Sequence, residues 1–190
     1  MALRNHAYEK LAALLEYPTE HPGPAVEACR AELDISYPAA AELLTDLQAY
    51  VTGTSLDMMQ ERYTNTFDLT PVCALEVGFH IFGEDYQRGA FLAHLRESQV
   101  EVGLGNDVEL PDHLAVLLRW LARITGTEVC HDIIEECILP ALAKMDECLA
   151  DADNPYRNPL LAVTAVLEHD LQSGAARGAS EVVTDSVTSQ

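Results

Sequence analysis

Glu61-Arg62-Tyr63-Thr64-Asn65-Thr66-Phe67-Asp68, continuing through Leu75 to Gly89, decides the reading of this chain. Leu56 and Met59 precede the octet and extend its spacing of three and four residues, so Leu56, Met59, Tyr63 and Phe67 share one helical face. Glu61, Asn65 and Asp68 flank that stripe. Thr70-Pro71 breaks the helix, Cys73 to Phe82 is mostly apolar, and Gly83 ends it. An apolar stripe with polar flanks suits a groove that holds a partner's segment, although aromatic residues at helical spacing are more often ordinary core. The pattern leaves both open.

Helical periodicity extends outward in both directions. Upstream, Leu3, Ala7, Leu11, Leu14 and Leu15 form a stripe ended by Tyr17-Pro18. Pro24 opens a short helix to about Leu33, and Tyr37-Pro38 starts another carrying Leu43, Leu44, Leu47 and Val51. Ser55 or Thr54 is placed to cap the Leu56 helix. Downstream, Glu84 to Val100 reads as helix with Phe91, Leu92 and Leu95 facing inward. A loop at Gly103–Asp107 leads to Glu109-Leu110-Pro111-Asp112-His113-Leu114, with Pro111 at a first helical position and Leu114, Leu117, Leu118, Leu121 and Ile124 behind it. Gly126 stops that helix and Thr127 can cap the next. Val129 through Leu149 is a long helix that Pro140 should kink or divide. A last helix uses Leu160, Val163, Leu167 and Leu171. The expectation is an all-α, single globular bundle of about eight or nine helices over residues 1–172, with a flexible tail over 173–190.

The chain has 190 residues, enough for one domain that buries roughly 70% of its unfolded surface. Its 31 acidic against 11 basic side chains give a formal charge of -20. That charge repels nucleic-acid phosphates and anionic membrane surfaces, and it steers basic partners inward. No apolar run approaches the roughly 20 residues of a membrane span, and the first residues lack a secretory apolar region. A soluble cytoplasmic protein is expected, without nucleic acid or membrane insertion. Cys29, Cys73, Cys130, Cys137 and Cys148 are odd in number and contain no C-x-x-C, so reduced thiols are expected in place of a disulfide framework or zinc knuckle.

Catalytic signals are absent from the sequence. There is no G-x-S-x-G, P-loop or G-x-G-x-x-G, and the adjacent carboxylates Glu84-Asp85 and Glu135-Glu136 do not face each other on a helix. His131 and Glu135, with Cys130 and Cys137, have half the spacing of a metal site, but no further segment marks the remaining ligands. Asp112 reads as a first-turn carboxylate stabilised by a helix N-terminus. His113 reads either as a surface histidine or as a donor to a partner's carbonyl.

Glu61–Asp68, Leu75 to Phe82, Gly83-Glu84-Asp85-Tyr86-Gln87-Arg88-Gly89 and Glu109–Leu114, in this order, resemble the NarJ branch of the TorD/DmsD/NarJ redox-enzyme maturation chaperones. In that branch E-x-Y-x-x-x-F-D precedes an apolar stretch, a Y/F-G-D/E element, an R-G pair and an E-L-P-D-H-L block. The resemblance implies a cytoplasmic chaperone without catalytic turnover or bound cofactor. Such a chaperone holds the N-terminal segment of an apo molybdoenzyme catalytic subunit until molybdenum cofactor is inserted. The client is nitrate reductase or a sister selenate, chlorate or dimethyl sulfide enzyme, and cofactor-delivery proteins are further partners. A monomer or weak dimer is expected. The resemblance makes Tyr63 and Phe67 groove or core elements, Glu61 and Asp68 acceptors for a basic side chain, and Asp112 and His113 neighbours of the bound segment, with Arg88 ordering the adjoining helix. The competing expectations are a structural subunit retained in a respiratory complex and a small metal-binding protein using Cys130, His131, Glu135 and Cys137.

Overall fold

The computed structural model describes residues 2–68, 73–105, 108–124, 127–150 and 153–185, with side chains described over 6–68, 73–105, 108–124, 129–150 and 153–174. The elements run α1 (Ala2–Leu14), α2 (Gly23–Ser36), α3 (Pro38–Leu43), α4 (Thr45–Gly53), α5 (Leu56–Phe67), α6 (Val77–Phe82), α7 (Tyr86–Glu101), α8 (Leu114–Arg123), α9 (Thr127–Ile133), a π-helical turn (Ile134–Ile138), α10 (Leu139–Leu149) and α11 (Arg157–Asp185). The α3–α4 pair abuts at Leu44, and α9 runs through the π turn into α10. With each of these taken as one rod, nine rods are described, and the expected all-helical fold is observed.

Helix α8 sits at the centre because its sequence leaves it no solvent face. Leu114, Ala115, Val116, Leu117, Leu118, Trp120, Leu121 and Ala122 are all buried, and a helix apolar on nearly every side is stable only when surrounded. Its main neighbour is α1, whose Tyr8 and Leu11 are fully buried, as is Leu15 just after it. The two polar positions of α8 are used against α1: Arg119 pairs with Glu9 at 3.5 Å and with Glu16, and Arg123 pairs with Glu9 at 3.3 Å. Helix α11 closes the opposite side against α3, α10, α1 and α4. Its Asp170 accepts hydrogen bonds from Tyr8 Oη at 2.7 Å and Tyr37 Oη at 2.8 Å, joining α1, the α2–α3 junction and α11.

Local sequence explains most boundaries, with four corrections. Ser55 occupies the N-cap of α5 but makes no capping hydrogen bond, and Thr54 Oγ1 instead donates back to Tyr50 O at 2.7 Å. Helix α7 starts at Tyr86, two residues later than expected, because Asp85 caps it by accepting from Gln87 N at 2.8 Å. Of its inward-facing candidates Leu95 is buried, while Phe91 and Leu92 are half-buried. Helix α8 starts at Leu114, not Pro111, for reasons given below. The expected division at Pro140 appears just upstream as the π turn. Pro140 offers no N–H to the carbonyl four residues back and its ring crowds that turn, so the helix re-registers and Pro140 falls in the first turn of α10. Gly83, at φ 62°, ends α6 in the left-handed region where no Cβ penalty applies.

The boundary expected at residue 172 lies inside α11; side chains from 175 and residues 186–190 are outside the described residues. The expected stop at Gly126 and the side chain of Thr127 also fall outside them. Among the described residues, strand pairing is confined to an isolated antiparallel bridge between Glu76 and His113. No described helix is long and apolar enough to cross a membrane.

Candidate functional site

The block before α8 is structural in a way the spacing did not reveal. Val77 N donates to Asp112 O and Leu114 N donates to Leu75 O, both at 2.9 Å, so residues 75–77 and 112–114 lie side by side as extended chain. His113 is the N-cap of α8: its Nδ1 accepts from Ala115 N at 3.2 Å. An accepting Nδ1 leaves the proton on Nε2, so the ring is neutral. Burial lowers its pKa from 6.5 to about 4, with nearby Arg119 adding to the fall and Glu16 opposing it. At 4% exposure His113 is not the surface histidine the sequence allowed.

Asp112 precedes the helix and is fully buried, which corrects its expected place in the first helical turn. Its Oδ2 accepts from Arg88 Nε at 3.1 Å across 24 residues of sequence, while Oδ1 has no hydrogen-bond partner among the described residues. Arg88 thereby joins α7 to the start of α8, and its guanidinium lies 5.9 Å from the centroid of the Phe79 ring. Gly78 makes room for this pair. A Cβ there would stand 2.6 Å from Asp112 Oδ2 and 3.1 Å from Phe91 Cδ1.

The α5 stripe is core. Tyr63 and Phe67 are 4% and 8% exposed, and their rings stack edgewise on each other at 5.0 Å and on Tyr156 at 5.6 and 5.2 Å. Tyr63 Oη donates to Leu15 O at 3.1 Å, so even its polar end is used internally. Both residues are therefore the core elements of the two open readings, because helix α5 turns this face toward α1 and Tyr156. Glu61 and Asp68, on the other faces, are exposed. Beside Tyr63 a cavity of about 350 Å3 opens under the α1–α2 loop, with Tyr17, Tyr50, Met59 and Tyr156 among its lining.

The fold gathers acids around this block from four separate segments. Burial raises the Glu109 carboxyl, and the charges of Glu76, Asp68 and Glu16 raise it further. Asp68 is raised by desolvation. Tyr63 is raised by burial and then by Asp68 and Glu109. Glu16 is engaged by Arg119, but among the described residues Asp68, Glu76 and Glu109 make no ion pair. The result is a local negative potential that a basic group can relieve.

A second feature escaped the sequence reading. A cleft of about 330 Å3 lies between α7 and the α9–π rod, lined by Phe91, Leu95, Val129 and Ile133, with His94, Ser98, Asp132, Glu136 and Cys137. Trp120 of α8 reaches it from the core. Its Nε1 is buried and has no acceptor among the described residues, so the indole offers the cleft its apolar surface. Val129 is 57% exposed there. The π turn that supplies Glu136 and Cys137 is an irregularity common at functional sites. One signal was available: Trp120 is the single tryptophan and lies off the Leu117/Leu118/Leu121 stripe.

His131 Nδ1 lies 3.3 Å from Glu135 Oε2, an ordinary i,i+4 contact, and Cys130 is buried while Cys137 is half-buried. Among the described residues no three His, Cys, Asp or Glu side chains group to hold a metal ion.

Residues 34–162 match the model of the family described as nitrate reductase delta subunit. The chain belongs to that family. It is 30% identical over 151 residues to the nitrate reductase molybdenum cofactor assembly chaperone NarJ of Escherichia coli, an alignment covering 77% of this chain and 63% of that relative. It thus spans under two thirds of that relative's length. A protein of Bacillus subtilis described as a nitrate reductase molybdenum cofactor assembly chaperone is 26% identical over 168 residues, covering 87% of this chain and 90% of the other. The crystal structure of a protein from Archaeoglobus fulgidus described as a redox enzyme maturation protein superposes with a TM-score of 0.60 at 19% identity, covering 87% and 93% of the two chains, which establishes a shared fold. The matched span of this family member contains α5 to α10 whole, and so the cleft and, of the acidic block, Asp68, Glu76 and Glu109.

Proposed function

We propose that this protein is a cytoplasmic assembly chaperone for a molybdoenzyme of the nitrate reductase kind. It binds the N-terminal segment of the apo catalytic subunit and keeps the subunit open until molybdenum cofactor is inserted. The observation that carries the reading is the α7–α9 cleft: an apolar trough with two carboxylates at its side. An amphipathic basic segment supplies what such a trough lacks. Its apolar side chains cover Phe91, Val129 and Ile133, and its basic side chains meet Asp132 and Glu136. The acidic block around Glu109 adds long-range attraction, which raises the encounter rate. The names of the Escherichia coli and Bacillus subtilis relatives support the assembly role. The experiment is calorimetric titration with the first few dozen residues of the nitrate reductase catalytic subunit from the same cell. Binding at micromolar concentration is expected, and none at tens of micromolar would overturn the reading.

A second reading rests on the family's own description as a subunit. A subunit remains in the mature oxidoreductase, whereas a chaperone leaves. Purification of the assembled enzyme separates the two by the presence or absence of this chain.

A further inference from the structure

Two cysteines separated by 75 residues meet at the junction of three elements. Cys73 opens the extended segment that carries Leu75, Glu76 and Val77 into the bridge with residues 112–114. Its backbone N donates to Thr66 O at 3.1 Å, which ties it to the end of α5. Its thiol is buried and points at α10, where Sγ lies 3.9 Å from Met145 O. Cys148 follows Met145 by three residues on that helix. Helical side chains lean toward the N-terminus over the preceding turn, so the Cys148 thiol is carried back toward the carbonyl that Cys73 touches. Cys148 accordingly lies within electrostatic reach of the Cys73 thiol and adds to the rise in its pKa. Cys148 is exposed and Cys73 is buried.

We propose that Cys73 and Cys148 form an oxidisable thiol pair, in which Cys148 takes up a small disulfide such as oxidised glutathione and Cys73 resolves it to an internal disulfide. In the first step the Cys148 thiolate attacks one sulfur of oxidised glutathione. The new bond is Cys148 Sγ to glutathione sulfur, and one glutathione thiolate leaves. In the second step the Cys73 proton passes to solvent base and Cys73 Sγ attacks Cys148 Sγ, expelling the second glutathione thiolate. Two protein thiols are oxidised and one glutathione disulfide is reduced to two glutathione thiols. The exposed member is the one a soluble disulfide can reach, and the buried member lies against the Met145 carbonyl, one helical turn from it. The bond would fasten the 73–77 segment, and with it Glu76 of the acidic block, to the end of α10.

Burial pushes the Cys73 thiol up to about 12, with Cys148 and Glu76 adding to the rise. Ionisation of Cys73 therefore limits the second step, and that step should accelerate about tenfold per pH unit between pH 7 and 9. The test is mass spectrometry of the intact full-length protein treated with oxidised glutathione at several pH values, followed by peptide mapping. The wild type should pass through one glutathione adduct to a species lacking two hydrogens, with the link mapped between residues 73 and 148. Cys73→Ala should stop at a stable adduct on Cys148. Cys148→Ser, a change at an exposed position, should give neither product at these residues. Glutathione that stays on wild-type Cys148 at every pH would overturn the proposal. So would a link from Cys148 to any other cysteine, or a protein that remains unmodified.

Discussion

Arg88 Nε stands 3.1 Å from Asp112 Oδ2, and Asp112 is the one fully buried carboxylate among the described residues. Its second oxygen has no partner among the described residues, so Arg88 is what makes the charge tolerable. Removing one member of such a pair strands the other. Arg88→Ala is expected to destabilise the fold by roughly 3–5 kcal/mol, and urea denaturation gives the value. Asp112→Asn, which leaves the shape and removes the buried charge, is expected to cost less than Arg88→Ala. The reverse order would mean that the charge is not what Arg88 compensates.

Gly78 is coupled to the same carboxylate. A methyl group there meets Asp112 Oδ2 at 2.6 Å and the Phe91 ring at 3.1 Å. Gly78→Ala is expected to cost about 1–3 kcal/mol by overpacking. In an Asp112→Ala background the nearest obstacle is gone, so the same change should cost less. A double-mutant cycle from denaturation curves measures the difference, and strict additivity would refute the contact.

His113 sets a pH dependence with a defined sign. In the fold its pKa falls from 6.5 to about 4 because the ring is buried. Between those values the unfolded chain binds a proton that the folded chain does not, so the stabilising contribution is complete above pH 6.5 and is lost as pH drops toward 4. The slope from one such group is at most about 1.4 kcal/mol per pH unit. Glu16 and Arg119 face this ring, and the raised carboxyls of Asp68 and Glu109 contribute with the opposite sign. The wild type is therefore compared with His113→Asn, which keeps a helix cap and has no titration. The difference in stability between them should change with pH between 6.5 and 4, and a constant difference would contradict a neutral His113.

Trp120 reports on the cleft directly, being the single tryptophan of the chain. Its fluorescence should shift when a tryptophan-free client peptide binds. Val129→Asp, at a largely exposed position, should weaken binding while leaving thermal stability near the wild-type value. Calorimetric affinity unchanged in that variant would place the bound segment elsewhere.

The acidic block should act on rate more than on residence. Glu109→Gln with Asp68→Asn removes charges that no described cation pairs, and should slow client association while leaving dissociation nearly constant. The association rate of the double variant should also depend less steeply on salt. Stopped-flow measurements at two ionic strengths distinguish this from a direct contact, which would appear as faster dissociation.

Much of the architecture is legible in the chain because helical periodicity is a local property. The Leu114–Leu121 run announces a buried helix, Pro140 announces an interruption, and the Leu56/Met59/Tyr63/Phe67 spacing announces a single face. The site is less legible. Asp85 and His113 cap their helices through side chains whose capping role appears only once the helix start is known, and the histidine cap displaced the expected start at Pro111 by three residues. The cleft was invisible for a different reason: its lining is drawn from α7, α8 and the α9–π rod, and no one of these carries a pattern that marks it.

By itself, the sequence determined the all-helical class, the order of the rods and the two motif blocks that mark the family, since each depends on residues close together in the chain. Tertiary structure decided what those residues face. It turned Tyr63 and Phe67 inward against Tyr156, buried Asp112 against an arginine 24 residues away, and set Trp120 into the lining of the α7–α9 cleft. The physical reason is that periodicity specifies that a helix has an apolar face, while only the packing of distant rods settles whether that face is filled by the chain itself or left for a partner.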